Sequence, residues 1–232
     1  MTPPAPLPRR GTRGEVIRAT SADTGTLSQV IADAFFGLPQ SRWLIPGQAA
    51  RRSILPGYFQ LLLEHAIASG IVCTTAGRDA AAVWLPAGHP PGRPPGDYGT
   101  RLAAATGVWL DRFTAFDATL DRHHPAGVPH RHLAILAVRP DRQAQGTGSM
   151  LLRACHQLLD QRGIPAYLEA AELRTRRLYL RHGYVLRPDA PFFLPSGGPP
   201  MWPMWRDARR PQSRDDPTRP GSATPGQPGE GR

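Results

Sequence analysis

The 232-residue chain contains no lysine, and all 28 of its basic residues are arginine. This absence excludes every mechanism that needs a lysine nucleophile, a Schiff base or the lysine of a phosphate-binding P-loop. Cysteine is scarce as well, since Cys73 and Cys155 are the only two and belong to no paired motif. A disulfide framework and a cysteine-rich zinc site are therefore not expected, and the count is typical of a reducing compartment.

Long hydrophobic segments are also lacking. No apolar run approaches the roughly 18 to 20 residues that a membrane-spanning helix needs. The amino-terminal sequence MTPPAPLPRRGTRG has no apolar stretch of the kind found in secretory signal peptides. We therefore expect a soluble protein of the cytoplasm.

The composition predicts one domain with two tails. The length suits a single domain, while 24 glycines and 27 prolines are more than an ordinary domain carries. Both ends are rich in Pro, Gly, Arg and Ser and have almost no apolar residues to bury. We predict disordered tails over 1–13 and 208–232, around one domain over 14–207.

The net charge of +10 raises the question of nucleic-acid binding. The arginines are spread along the whole chain, which favours a generally basic protein. Attraction for an anionic small molecule explains the charge at least as well, and nucleic-acid binding is kept as the lesser alternative.

Hydrophobic periodicity predicts helices and strands in the order β-α-α-β-β-α-β-α-β-α-β-β. The predicted strands cover 14–20, 71–75, 80–86, 132–138, 165–170, 183–187 and 201–206. The predicted helices lie between the cap at 20–23 and the stop at 37–39, and over 49–69, 98–122, 148–161 and 175–182. Such an order predicts an α/β fold with a mixed sheet and helices on both faces.

Two strands carry positional information. The segment HLAILAV at 132–138 is apolar nearly throughout, which is typical of a central strand buried on both faces. Pro203 lies within the last strand and predicts that this strand is at an edge of the sheet.

The segment LAVRPDRQAQGTGSMLL at 136–152 carries the most specific chemistry. A buried strand ends at Val138, and Gly146 and Gly148 open the next helix. The first amides of a helix have no internal partner and lie at the positive end of its dipole, and glycines let a phosphate approach the backbone. The patterns of a P-loop and of a dinucleotide fingerprint are both missing. A pyrophosphate is the natural ligand.

The residues of this loop resemble a known family. Val138-Arg-Pro140 followed by Gln143-Ala-Gln-Gly146-Thr-Gly148 is similar to motif A, Q/R-x-x-G-x-G/A, of the GNAT acyl-CoA N-acyltransferases. Downstream, Pro165-Ala-Tyr-Leu-Glu169 and Leu178-Tyr179-Leu-Arg-His-Gly183-Tyr184 resemble the β5 strand and motif B of that family.

The resemblance covers roughly residues 15–206 and is closest to puromycin N-acetyltransferase-like enzymes. The features that point to these enzymes are the segment from Ala34-Phe35 through Pro39, the strand Ala82-Val83-Trp84, the strand Pro165-Ala-Tyr-Leu-Glu169, and the terminal strand with Trp202-Pro-Met204. The resemblance implies an α+β sandwich type of α/β fold, the GNAT fold. Its central mixed, mostly antiparallel sheet has splayed strands β4 and β5.

The same resemblance implies acetyl-CoA as the co-substrate and a set of residues that hold it. Main-chain groups of Leu136, Ala137 and Val138 would pair with the pantetheine arm like an added strand. The pyrophosphate would bind at the backbone of Gln143, Ala144, Gln145, Gly146, Thr147, Gly148 and Ser149. Motif B usually has an asparagine that steadies the cofactor, and Thr175 stands at that position here.

Two side chains receive catalytic roles from the resemblance. Tyr179 falls where the family places the general acid that protonates the departing thiolate, and a phenol of pKa about 10 is protonated at neutral pH. Glu169, at a strand end, is the candidate base for an ammonium substrate, directly or through water. The alternatives are a core aromatic residue and a salt-bridge partner, respectively. The arginines around Thr175 suit either the 3′-phosphate of the cofactor or a solvated helix face.

Other groups are weighed for the substrate side. Phe35, Phe36 and Trp43 lie where the family forms its acceptor pocket, with the core as the alternative, and Trp84 is expected in the core. The histidine-rich segment with His123, His124, His130 and His132 has no carboxylate or cysteine at a known metal spacing. We expect no metal, and a role of one histidine at the substrate site is left open.

The sequence thus predicts an acetyl-CoA-dependent N-acetyltransferase acting on a small-molecule amine, such as an amino-bearing antibiotic or a related metabolite, by direct attack in a ternary complex. A peptide or protein N-acetyltransferase is the first alternative. A non-catalytic module that binds CoA or nucleic acid is the second. We expect no membrane partner, and a homodimer is left open.

Overall fold

A computed structural model describes residues 15–88 and 96–209. The predicted amino-terminal tail, nearly all of the predicted carboxy-terminal tail and most of the proline-rich loop around residues 89–96 lie outside the described residues. Among the described residues, no helix is long and apolar enough to cross a membrane.

The described part of the chain forms one mixed sheet of eight strands. The strands are β1 (Val16–Arg18), β2 (Ile71–Thr75), β3 (Ala80–Ala87), β4 (His130–Val138), β5 (Ala166–Ala170), β6 (Val185–Leu186), β7 (Phe192–Phe193) and β8 (Pro200–Arg206). Their order across the sheet is β1-β2-β3-β4-β5-β8-β6, and β7 pairs with β8 away from this path. All pairs are antiparallel except β4 with β5. The predicted central position of the apolar strand β4 is confirmed.

The parallel pair β4 and β5 is joined along only part of its length. Arg131 pairs with Ala166 and His132 with Tyr167. The pairing stops there, although β4 continues to Val138 and β5 to Ala170. The two strands therefore open a wedge towards their carboxyl ends, as the family resemblance predicts.

Seven α-helices cover the two faces of the sheet in the described residues. They are α1 (Thr24–Phe35), α2 (Pro39–Leu44), α3 (Gln48–Ser69), α4 (Tyr98–Thr106), α5 (Leu110–His123), α6 (Thr147–Gln161) and α7 (Leu173–Arg181). One face carries a core cluster built with residues of α1, α3 and α5, such as Leu27, Leu63 and Phe113. The other face carries a cluster built with α6 and α7, including Leu152 and Tyr179. The predicted two-sided arrangement is confirmed.

Two helical regions differ from the sequence prediction. Helix α1 ends at Phe35, just before the predicted stop at 37–39. The short helix α2 was not predicted; it begins at Pro39, whose fixed φ and missing amide hydrogen suit the first position of a helix. The single helix predicted over 98–122 is two helices, because Gly107 takes a φ of +53° and ends α4. The two-residue strand β7 was not predicted.

The predicted edge position of the last strand is wrong, since β8 lies between β5 and β6. The carbonyl of Pro203 accepts a hydrogen bond from the amide of Arg187, just beyond the short strand β6. In an antiparallel ladder the N–H and C=O of one residue point to the same neighbour. The amide hydrogen that Pro203 lacks would therefore face the place where β6 has already ended, and the strand loses no ladder bond to β5.

Candidate active site

The loop after β4 enters helix α6 through two residues with left-handed backbone. Ala144 has a φ of +62° and Gly146 a φ of +85°, and α6 begins at Thr147. Two glutamine side chains bond to the loop backbone: Gln143 Nε2 donates to the carbonyl of Val138 (3.0 Å) and Gln145 Nε2 to that of Asp141 (3.2 Å). The sequence thus builds a fixed turn that presents the start of α6.

The amides of this turn are suited to an anion. The amide of Gln143 bonds weakly to the carbonyl of Pro140 (3.4 Å), whereas the amides of 144–149 have no partner among the described residues. A Cβ on Gly146 would meet nothing within 4 Å, so the space over the backbone is open. Unpaired amides at the positive end of a helix dipole are a donor set for a phosphate or pyrophosphate group. The expected pyrophosphate contacts fit this geometry and remain a prediction.

One backbone edge of β4 is open beside the wedge. Leu136, Ala137 and Val138 pair with β3 on one side, whereas the pairing with β5 has already stopped at His132. An unpaired strand edge binds an extended chain that carries amides. The pantetheine arm of CoA is such a chain, which is what the sequence predicts for these residues.

Tyr179 lies on α7 with 7% of its surface exposed and its ring 5.8 Å from that of Tyr184. Its hydroxyl has no hydrogen-bond partner among the described residues, and it is not one of the unpaired oxygens sealed from solvent. Burial raises the pKa of Tyr179 above its usual value. The phenol is therefore protonated at neutral pH and free to donate its proton, as a general acid must be.

Thr175 is engaged inside the start of α7. Its hydroxyl donates to the carbonyl of Glu172 (2.9 Å) and accepts from the amide of that residue (3.3 Å), which forms the cap of the helix. The hydroxyl therefore has a structural role of its own, and its contact with the cofactor stays a prediction. Next to it, Arg176 Nε is buried without a hydrogen-bond partner.

Glu169 is more enclosed than a base that meets substrate directly. Its side chain is 4% exposed, and Oε2 accepts a hydrogen bond from His132 Nε2 at 2.8 Å. Oε1 is buried without a hydrogen-bond partner. Burial by itself raises the pKa of this carboxyl, but His132, together with His124 and Tyr167, outweighs it and holds the pKa below its usual value. Glu169 is thus an ionised carboxylate bound to a histidine.

Three of the histidines considered for the substrate site lie close to this carboxylate. The rings of His124, His130 and His132 lie 4.8, 5.8 and 5.6 Å from that of Tyr167. Donor atoms of His124, His132 and Glu169 all lie within 4.8 Å of one another. Burial lowers the pKa of His124 to about 4, so its ring is neutral at pH 7. The expected absence of a metal stays a prediction.

A signal for this cluster exists in the sequence. His130 and His132 on β4, and Tyr167 and Glu169 on β5, are spaced by two residues and so point to one face of each strand. The sequence does not show the parallel register that pairs His132 with Tyr167. His123 belongs elsewhere: its ring stacks on Phe192 at 4.0 Å.

The predicted acceptor-pocket residues are packed against neighbouring groups. Phe35 meets the ring of Phe59 edge to face at 5.4 Å. Phe36 lies under the guanidinium groups of two arginines, at 5.0 and 4.7 Å. The carbonyl of Trp43 accepts a hydrogen bond from Arg112. Their contact with an acceptor stays a prediction.

Trp84 lies in the core with 1% of its surface exposed, as the sequence predicts.

Comparison with known protein families matches part of the chain to a family model. The sequence model of the acetyltransferase (GNAT) domain matches residues 109–186. The matched segment includes the loop before α6, Glu169 and Tyr179.

Two solved structures with a similar fold are described as acetyltransferases. A structure described as histone acetyltransferase HPA2 and related acetyltransferase, from Corynebacterium glutamicum, is 26% identical with a TM-score of 0.59, covering 85% of this chain and 97% of that one. Arylalkylamine N-acetyltransferase 2 from Aedes aegypti is 12% identical with a TM-score of 0.58, covering 84% of this chain and 99% of that one. The second likeness shows a shared fold alone.

Proposed function

We propose that this chain, which has the GNAT fold and is an acyl-CoA N-acyltransferase, acetylates the primary amine of a small molecule. The amine attacks the thioester of acetyl-CoA directly, within a ternary complex. Cys73 and Cys155 are buried in the core with their Sγ atoms 2.6 Å apart, so neither is presented as a nucleophile for a covalent intermediate.

The observation that carries the small-molecule acceptor is the packing of the predicted acceptor side. Helices α4 and α5 are inserted between β3 and β4, and Arg112 on α5 bonds to Trp43 on α2. A small apolar cluster then joins α2, α5 and the β7–β8 segment. Its members are Trp43, Phe116, Leu120, Phe192, Leu194 and Met201. A side closed by three chain segments suits a compact molecule, whereas a peptide needs a groove open at both ends.

Different residues of the site bind acetyl-CoA and carry out the chemistry. The amides of 144–149 hold the pyrophosphate, and the open edge of β4 aligns the pantetheine arm so that the thioester lies in the wedge. Acetyl-CoA supplies the activated acyl group. As the bond from carbon to sulfur breaks, Tyr179 donates its proton to the thiolate. Glu169 and the histidines beside it lie on the opposite face of β5 from the apolar residue Leu168, which packs with Tyr179.

The resemblance to puromycin N-acetyltransferase-like enzymes favours an amino-bearing antibiotic or a related metabolite as the acceptor. Acetylation removes the positive charge and the nucleophilic lone pair of an amine. The proposed cellular role is therefore resistance to such a compound, or its tailoring, in the cytoplasm.

A peptide or protein acceptor is the second candidate. It is favoured by the structure from Corynebacterium glutamicum whose description names a histone acetyltransferase. The two candidate functions differ in the acceptor. Acetylation assays on a panel of small amines, with puromycin first, and on peptides with free amines therefore distinguish them.

The first test is calorimetric titration with acetyl-CoA. The wild type should bind with a micromolar Kd, and Gly146→Trp should lose binding because the ring blocks the backbone amides. Gly57→Trp is the matched control, since Gly57 is exposed on α3 and faces open space.

A thiol-release assay on the amine panel follows. Turnover with small amines and none with peptides supports the proposal, and the reverse establishes the peptide acceptor. Absence of acetyl-CoA binding by the wild type would refute both.

A further inference from the structure

We propose that His132 is the base that takes the proton from the acceptor amine, and that Glu169 is the residue that positions it. This inference rests on the proposed function and deepens it. It replaces Glu169, the base expected from the sequence, by the histidine to which Glu169 is bonded.

Access separates the two side chains. His132 is 15% exposed in its side chain and Glu169 only 4%. The one bonded oxygen of Glu169 already accepts from His132 Nε2, and the other is enclosed by protein. The imidazole is therefore more accessible to an amine than the carboxylate is.

The hydrogen bond fixes the tautomer of His132. An ionised carboxylate can only accept, so Nε2 must carry the hydrogen of this bond. In the neutral ring, Nδ1 then holds the lone pair, and it has no hydrogen-bond partner among the described residues. A carboxylate that orients an imidazole and stabilises its protonated form is the arrangement that makes histidine an effective base.

The position of His132 in the sheet suits this task. His132 and Tyr167 form the last pair between β4 and β5, so His132 stands at the vertex where the wedge begins. The open edge of β4 leads away from it towards the start of α6. An acyl group delivered along that edge would arrive beside the same residue that deprotonates the amine.

Charged and titratable groups surround His132 from every element packed against it. Asp121 faces it from α5, His124 from the residue after α5, His130 from its own strand, and Tyr167 and Glu169 from β5. Arg187, after β6, acts on His124, His130 and Tyr167. His124 is a poor competitor as a base, because burial lowers its pKa to about 4. His130 Nδ1 lies 2.8 Å from the carbonyl of Val128, and its Nε2 lies 3.0 Å from that of His124, so both of its nitrogens are engaged.

The ammonium substrate gives one proton to Nδ1 of His132 and becomes a neutral amine. Its lone pair forms the bond from nitrogen to the carbonyl carbon, the bond from carbon to sulfur breaks, and Tyr179 protonates the thiolate. The new amide nitrogen loses its second proton, which replaces the one given by Tyr179. His132 returns its proton to solvent, so each turnover releases one proton.

Kinetics of matched variants test the assignment with the amine that the wild type acetylates. His132→Gln should lower kcat by about 100-fold or more and leave the Kd of acetyl-CoA unchanged. His124→Gln is the neighbouring control and should lose less than about 10-fold, and His65→Gln on α3 should behave as wild type. Added imidazole should restore part of the activity of His132→Ala.

Glu169→Gln separates a positioning role from a purely structural one. The amide oxygen of glutamine can still accept from Nε2, but it no longer stabilises the imidazolium charge. The acid limb of the pH–rate profile should therefore move to lower pH, with a smaller loss of kcat than in His132→Gln. An unshifted limb, or a larger loss in Glu169→Gln than in His132→Gln, would overturn the assignment.

Nitrogen NMR of the wild type with neutral histidine rings tests the tautomer of His132 without any acceptor amine. Spectra should show His132 with hydrogen on Nε2 and a bare Nδ1, and the opposite tautomer would refute the inference. Failure of the proposed function looks different, because it appears as wild-type protein that binds acetyl-CoA and acetylates no small amine.

Discussion

Replacement of Tyr179 by phenylalanine tests the chemistry with little disturbance of the fold. The hydroxyl has no hydrogen-bond partner among the described residues, so its removal leaves no buried group unpaired. The ring keeps its place in the apolar cluster. The free energy of unfolding should therefore change by less than about 1 kcal/mol.

The expected loss in rate is large. A positioned general acid contributes about 100-fold to 10,000-fold to the rate, so kcat of Tyr179→Phe should fall at least about 100-fold, which corresponds to roughly 2.7 kcal/mol in the activation barrier. Binding of acetyl-CoA should not change. Since burial raises the pKa of Tyr179, the wild type should keep this proton donor up to a pH of about 10.

Tyr184→Phe is the matched control, because the same atom is removed from a neighbouring ring. The Tyr184 hydroxyl lies 3.1 Å from Nε2 of the buried His156. Its loss should cost about 1 to 3 kcal/mol of stability and little of the chemistry. Thiol release and thermal unfolding of both variants give the comparison. If Tyr179→Phe keeps kcat within about threefold of wild type, the tyrosine is not the acid.

Three further predictions concern stability and the loop. Burial raises the pKa of Asp117 to about 6, in spite of its hydrogen bond from Tyr98 (2.8 Å). The protonated carboxyl is therefore fully tolerated in the fold below pH 4, and this stability is lost as the pH rises through 6 and the buried group ionises. Asp117→Asn should therefore be about 1 to 3 kcal/mol more stable than wild type at pH 7.5, with no gain at pH 3.5, and equal stability at both pH values would contradict this. Arg206 is 3% exposed in its side chain and is bonded twice to Asp160 at 2.8 Å. Asp160→Asn leaves it as a buried unpaired charge and should lower the free energy of unfolding, measured in urea, by about 3 to 5 kcal/mol. A change below about 1 kcal/mol would be inconsistent with that. Gly146→Ala should cost about 1 to 2 kcal/mol through its positive φ and weaken acetyl-CoA binding in calorimetry, and unchanged binding would argue against this loop.

Local features of the sequence predicted much of the fold. Strand β2 has the predicted bounds, and the loop between β4 and α6 lies where its glycines indicated. Short-range chemistry decides both, through apolar runs and through the left-handed turn at Gly146. The stop at 37–39 lies where α1 ends, but helix α2 was missed, because a proline that follows one helix can also begin the next.

Long-range packing limited the prediction of the site. Glu169 was singled out as a candidate base, which stays a prediction, but its partner His132 lies 37 positions earlier and joins it only through the parallel register of two strands. Burial lowers the pKa of His124, whose ring packs against those of His132 on β4 and Tyr167 on β5. Neither neighbour is visible in the spacing of residues along the chain.

The two-residue contact between β4 and β5 divides the sheet into two antiparallel plates, β1 to β4 and β5 to β8. Only two residue pairs join the plates through the backbone, and the side chains of Leu133 on β4 and Leu168 on β5 pack in one core cluster across the seam. A chain lying along the free edge of β4 would bridge this seam and act as the strand that the sheet lacks. Acetyl-CoA would then complete the sheet as well as react.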